Sequence, residues 1–180
     1  MIETHAFGNF FPENTMYLIL GSFTAKESPT GTGTKDPAYD WFYGTKRNQF
    51  WPILEAVYGI ELRTPEEKQK LFRKLRIGIA DIISKCERKH GSSMDANLIH
   101  IEYNTKSITE IIDQNKIEKI FFTSKFVEVK FKKVFSTVIS DHPEIELLPL
   151  PSPSPRYARM SKAQKIILYK ELLPNLATDT

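Results

Sequence analysis

The sequence predicts an α/β fold, a parallel sheet with helices on both faces. Four short apolar runs, Tyr17 to Gly21, Ile77 to Ile82, Ile117 to Thr123 and Ile145 to Leu150, read as strands. Helical patterns fill the stretches between them, as crossover units between parallel strands require. The chain has 180 residues, 41% of them hydrophobic, enough to bury a substantial core. One domain spanning residues 1–180 is the expected organisation.

The first strand breaks at Gly21-Ser22-Phe23. This is either a strand end that needs a glycine, or a tight turn whose amides approach a ligand ring with Phe23 stacking on it. Thr24 to Tyr43 is a long loop, and long loops in compact domains are often functional. Its Gly31-Thr32-Gly33 stretch lacks the Lys-Ser/Thr ending of a phosphate-binding loop. Asn48 then precedes the helical pattern Phe50, Ile53, Leu54, Val57, with Pro52 in or near the first turn. Asn48 reads as an N-cap, or as an amide that orients a water or a substrate carbonyl.

Thr64-Pro65-Glu66-Glu67 offers an N-cap, a first-turn proline and a capping glutamate ahead of Leu71, Phe72 and Leu75. The second strand ends near Asp81, whose carboxylate either hydrogen-bonds a ligand edge or caps the following turn. Cys86 reads as a small buried apolar residue, and His90 as a loop residue. Ser107 with Glu110, and Ser161 with Gln164, repeat the capping-box pattern. Lys125 to Ile139 spaces Phe126, Val127, Phe131, Val134, Phe135 and Val138 as one helix, with Lys130, Lys132 and Lys133 on a solvated face.

The last strand runs into Leu148-Pro149-Leu150-Pro151-Ser152-Pro153-Ser154-Pro155. The alternation of Pro and Ser is either a stiff polyproline II connector or a rigid loop whose Ser152 and Ser154 hydroxyls and free amides grip phosphates. Arg156, Tyr157 and Arg159 follow directly. Loops leaving the carboxyl ends of parallel strands gather on one edge, where ligands bind. The Tyr43–Trp51 segment and the Pro-Ser loop are therefore expected to wall one pocket. Ala177 to Thr180 reads as a frayed tail.

Composition narrows the classes. No apolar run is long enough to span a bilayer, and the N-terminus lacks a basic region followed by an apolar one. One cysteine excludes an internal disulfide and a four-cysteine iron–sulfur cluster within the chain. The four histidines have no metal-ligand spacing, which gives metal catalysis little support. No cofactor is expected. A cytoplasmic, monomeric protein is the expectation. A net charge of +3 and a pI near 8.8 permit nucleic-acid binding without demanding it.

In this order the motifs resemble the uracil-DNA glycosylase superfamily. Its hypoxanthine/uracil branch is the nearest, with the mismatch-specific thymine/uracil branch next. Leu18 to Phe23 resembles the first motif of that branch. Tyr43 through Trp51 resembles its tyrosine followed by Arg-Asn-x-Phe-Trp. Gly78 to Asp95 is similar to a strand ending in Asp, then Cys86-Glu87-Arg88, then a Gly-Ser stretch leading to Asp. Ile120 to Thr123 resembles its third core strand, and Leu150 to Pro155 its Pro-Ser loop.

The resemblance implies a three-layer α/β/α sandwich around a four-stranded parallel sheet. It implies a monofunctional glycosylase acting on DNA that holds a damaged or mispaired base, without metal. Asn48 would then be catalytic. Gly21, Ser22, Phe23, Tyr43 and Asp81 would line the base pocket. Ser152, Ser154, Arg156 and Tyr157 would meet DNA. The chain departs from the pattern at Thr24-Ala25, where the family usually has Pro-Gly. Leu150 replaces the histidine of the classical uracil enzymes, so their Asp/His mechanism is not carried over. The rival readings are a DNA-binding module of the same fold that does not cut, and an α/β protein for a small nucleotide or nucleoside.

Overall fold

The computed structural model describes residues 2–24, 40–89 and 95–176. In chain order the elements are β1 (Ile2–Thr4), β2 (Tyr17–Gly21), α1 (Phe50–Tyr58), α2 (Pro65–Leu75), β3 (Ile77–Asp81), β4 (Ile83–Arg88) and β5 (Leu98–Tyr103). Then follow α3 (Thr105–Gln114), β6 (Lys119–Phe122), α4 (Lys125–Val134), α5 (Ser136–Asp141), β7 (Glu146–Pro149) and α6 (Lys162–Leu172). The four expected strands pair in parallel in the order β3-β2-β6-β7.

Side chains alternate across this sheet and both faces are covered. Ile19, Ile77, Ile79 and Phe121 meet Phe50, Trp51, Ile53 and Leu54 of α1, Leu71, Phe72 and Leu75 of α2, and Tyr169 of α6. Leu18, Leu20, Ala80, Ile120 and Phe122 meet α3, α4 and α5 through Ile108, Ile112, Val127, Phe131 and Val138. This is the expected three-layer sandwich, and burial on both faces explains why its strands read as continuous apolar runs.

A second sheet, antiparallel in the order β1-β4-β5, has no counterpart in the sequence reading. β4 mixes Ser84, Lys85, Glu87 and Arg88 with Ile83 and Cys86, and register shifts interrupt its pairing with β5. Bulges of this kind break the two-residue period that marks a strand. Ile82 lies outside β3, at the bend where the chain leaves one sheet for the other. Its N–H donates to the Gly21 carbonyl and its own carbonyl accepts from Asn104 N–H. Cys86 is buried, as expected, and burial holds its thiol above the ordinary range.

Three helix starts can be compared with their capping signals. Thr64 and Ser161 form complete capping boxes with Glu67 and Gln164. Ser107 does not cap α3, which begins at Thr105 after Asn104. Asn104 donates its side-chain amide to Asn9 Oδ1 at 2.8 Å and to the Asp81 carbonyl at 3.2 Å instead. The helix expected over Lys125 to Ile139 is two helices joined at Phe135, whose φ of −105° and ψ of 27° leave the helical region. Phe135 stays buried and stacks on Phe131, so the apolar periodicity runs through the break. Lys125 and Lys132 on α4 pair with Glu128.

Candidate functional site

All four parallel strands end on one edge. The chain steps from β2 outward to β3, then back past β2 to β6, so the strand order reverses between β2 and β6. Such a switch point opens a crevice outside the carboxyl ends of the strands. The segments leaving β2, β6 and β7 there are Gly21–Phe23, Thr123 and the Pro-Ser loop, and Asp81 ends β3.

Tyr43 closes the crevice from the side of α1. Its ring stacks on Phe50 with centroids 4.3 Å apart. Its hydroxyl lies 2.8 Å from Thr123 Oγ1, and Thr123 donates onward to the Leu20 carbonyl at 3.2 Å. Tyr43 is therefore the donor to Thr123. Burial first, and then the Asp81 charge, hold its hydroxyl well above its usual value. Its φ is +55°, a left-handed conformation uncommon for a side chain of this size. The surrounding aromatic packing holds it there. Trp41 stacks on Trp51, and Trp51 Nε1 donates to the Phe42 carbonyl at 2.6 Å.

Gly21 lies where Asp81 and Tyr43 converge. A Cβ built there would collide with Asp81 Oδ1 and would come within 2.5 Å of the Tyr43 hydroxyl. Asp81 is 2% exposed. Its Oδ2 accepts from Thr24 Oγ1 and from His5 Nε2, each at 2.7 Å. His5 Nδ1 accepts from Phe7 N–H, which leaves Nε2 as the protonated nitrogen that faces Asp81. Thr24, where the family pattern has proline, thus supplies a hydroxyl that proline lacks. Phe23 packs edge-on to His5, and the Arg88 guanidinium lies 5.5 Å from its centroid.

Ser22 Oγ donates to Asp95 Oδ1 at 2.7 Å. Burial raises the Asp95 carboxyl above its ordinary value, the Ser22 bond opposes this, and Asp81 adds to it. A raised folded-state pKa means stability that is present at low pH and lost as pH rises through that pKa. Asp95→Asn keeps an acceptor for Ser22 and removes the charge. It is expected to raise the melting temperature at neutral pH, with the gain disappearing below the ordinary carboxylate range. Equal melting of both proteins at neutral pH would contradict this.

Asn48 stands one residue before the formal N-cap, Gln49, which makes no side-chain cap. Asn48 Oδ1 accepts from Phe50 N–H at 2.9 Å, so the asparagine does satisfy a free amide at the helix start. The neighbouring backbone reaches the Pro-Ser loop directly, where Gln49 N–H donates to the Pro153 carbonyl at 2.9 Å. The two segments singled out in the sequence are in contact.

Inside the Pro-Ser loop, Ser152 Oγ accepts from Ser154 N–H at 3.3 Å and Ser154 Oγ from Arg156 N–H at 3.2 Å. The Ser154 and Arg156 amides are thus used within the loop. The Ser152 amide, with no hydrogen-bond partner among the described residues, and the serine hydroxyl protons are its remaining donors. Arg156 is exposed and Tyr157 is half-buried. The loop is fastened from behind by α6. Tyr169 donates to the Pro151 carbonyl at 2.9 Å, and Lys165 Nζ donates to the Ser154 carbonyl at 3.1 Å and to Gln49 Oε1 at 2.9 Å.

The sequence reading missed His5, Asp95 as the partner of Ser22, Thr123 and Lys165. Asp95 had one signal, its place at the end of the Gly78–Asp95 stretch. Lys165 looked like any surface lysine. His90 and Gly91 to Met94, the Gly31–Gly33 stretch, Ala25 and the Ala177–Thr180 tail lie outside the described residues. A groove of about 180 Å³ lies elsewhere, lined by Ile60, Leu62, Leu71 and Leu176 among others and by none of the candidate residues. Among the described residues, no helix is long and apolar enough to cross a membrane, and no three His, Cys, Asp or Glu side chains are grouped to hold a metal ion.

No protein-family model and no curated protein matches the chain. Solved structures do, fifteen chains in all. One is a solution NMR structure of a "putative Uracil DNA glycosylase" from Methanosarcina acetivorans. It aligns with a TM-score of 0.67 at 23% identity, over 95% of this chain and 98% of that one. The two chains share one fold. The four-stranded parallel sheet with helices on both faces is the part of the sequence-based expectation that this likeness supports.

Proposed function

We propose that this protein is a DNA glycosylase of the uracil-DNA glycosylase superfamily, one that hydrolyses the N-glycosidic bond of a deaminated base, uracil or hypoxanthine, flipped out of DNA. The observation that carries the reading is the junction of Asn48-Gln49 with the Pro-Ser loop at the switch-point edge. It joins the segment that carries Asn48, the water-orienting amide in this reading, to the loop that this reading assigns to a phosphate, in a fold shared with a protein named as a glycosylase.

A base must leave the helix to be reached, which favours damaged or mispaired bases. The bond from C1′ to the base breaks with its electron pair leaving on the base, while positive charge develops on the sugar. Water adds to C1′ and its proton ends on the departing base. Asn48 Oδ1 is held by Phe50 N–H and keeps a second lone pair for the water. An amide is a poor general base, so its role is to position. Gly21, Ser22, Phe23, Tyr43 and Asp81 form the base pocket in this reading. The Ser152 and Ser154 hydroxyls, Arg156 and Tyr157 meet the DNA backbone.

The test is single-turnover treatment of oligonucleotides carrying uracil, hypoxanthine, xanthine or mismatched thymine, followed by alkaline cleavage of abasic sites. Excision of one of these bases supports the reading. Duplex binding without excision would leave a damage-binding module, and binding of a free nucleoside without DNA would leave a small-molecule protein. Salt gives a second measurement. Arg156→Ala is expected to flatten the salt dependence of DNA affinity by roughly 0.9 in log–log slope, one phosphate. Ser152→Ala should lower affinity at unchanged slope, since a hydroxyl releases no counterion. Equal slopes for wild type and Arg156→Ala would remove Arg156 from the phosphate contacts.

A further inference from the structure

Lys165 stands on α6 at a position that packing treats as core. It is 1% exposed, on the same face as the buried Tyr169 one turn on. Its Nζ donates to Gln49 Oε1 and the Ser154 carbonyl, and lies 5.5 Å from the centroid of the Tyr157 ring. All three partners are neutral. Among the described residues no carboxylate pairs with it, and burial is what pulls its pKa below the ordinary lysine value. A buried ammonium without a counter-charge is unfavourable, because neutral dipoles replace only part of its hydration. The uncompensated charge sits directly behind the loop of Ser152, Ser154 and Arg156.

We infer that Lys165 is the buried charge of an anion site on the Pro-Ser loop, and that the anion is a phosphodiester of DNA. The inference rests on the glycosylase reading for the identity of the ligand. Lys165 does not reach the phosphate. It holds the Ser154 carbonyl inward, sets the loop against Gln49, and supplies the positive potential that the phosphate outside the loop completes. It is a positioning residue whose charge, as well as its hydrogen bonds, is used.

Two neutral variants separate charge from tethering. K165M removes charge and donors, and K165Q removes the charge but keeps an amide donor. Affinity for a uracil-containing duplex is measured against salt, beside thermal melting. Both variants are expected to fold with only a modest change in melting temperature, since relief of a buried unpaired charge opposes the loss of its hydrogen bonds to Gln49 and Ser154. Both should show a shallower salt slope, by up to about 0.9. K165R should keep the wild-type slope. Tyr169→Phe, which unties Pro151 without changing charge, should lower affinity at unchanged slope.

Wild-type slopes in both K165M and K165Q overturn the inference. So does failure of both to fold, which would make Lys165 a structural tie. A parallel arm measures melting with inorganic phosphate against chloride at equal ionic strength. If the wild type binds no duplex but phosphate raises its melting only when Lys165 is present, the anion site stands for a small phosphate ligand, and the DNA ligand and glycosylase reading fall. If neither phosphate source binds, both fall.

Discussion

Asn48→Ala is expected to lose most base excision, on the order of 10²-fold or more in single-turnover rate, while duplex binding survives. Loss of one polar contact made to the reacting groups commonly has that effect. The same substitution removes the acceptor for Phe50 N–H and should lower stability by about 0.5–2 kcal/mol. Asn48→Asp separates the two roles. A carboxylate still accepts from Phe50 N–H, and its charge suits a helix N-terminus, so melting should barely change. A carboxylate also holds a water, so activity should survive better than in alanine. Excision and melting are measured for both variants. Near wild-type excision by a destabilised Asn48→Ala would leave Asn48 as a helix-start residue only.

Gly21→Ala is expected to damage fold and pocket together. The added Cβ meets Asp81 Oδ1 and the Tyr43 hydroxyl, and neither swings aside freely. Asp81 is held by Thr24 and His5, and Tyr43 by Thr123 and the Phe50 ring. Overpacking of this kind costs about 1–3 kcal/mol, and melting in a chain of this size shifts by roughly 2–4 °C per kcal/mol. Excision should fall further than melting implies, because the displaced groups line the proposed pocket. Gly21→Ala in a Tyr43→Phe background removes one of the two collisions and should recover part of the loss, a coupling that a double-mutant cycle reads directly. Additive effects, or unchanged melting in Gly21→Ala, would mean that the close approach does not constrain this corner.

Much of this protein is written in local patterns. The cores of β2, β3 and β6 could be named from their apolar runs, because burial on both faces leaves no polar residue to interrupt them, while β7, at the sheet edge, is only half-buried. The starts of α2 and α6 could be read from Thr64 with Glu67 and Ser161 with Gln164, because a capping box lies within four consecutive residues. The segments around Gly21, Asn48 and Ser152 could be singled out for the same reason.

Local order fails where a residue's partner is remote. Asn104 looks able to cap α3, but it spends its amide on Asn9 and on the Asp81 carbonyl. Phe135 continues an apolar period through a backbone that has already left the helix. The bulged small sheet shows no regular alternation at all.

The polar wiring of the candidate site was decided by tertiary structure alone. His5 meets Asp81 across 76 positions, Ser22 meets Asp95 across 73, and Lys165 meets Gln49 across 116. A single histidine, aspartate or lysine carries no periodicity and no cap, so nothing beside it in the chain announces the partner. Sequence by itself determined the layers, the four parallel strands and the loops that bear the candidate chemistry. Only the packed chain decided that Asp81 is held by His5 and Thr24, that Gly21 admits no side chain, and that a buried lysine joins the Asn48 segment to the Pro-Ser loop. Each is a contact between one side chain and a distant segment, fixed by the geometry of sheet edges and helix docking.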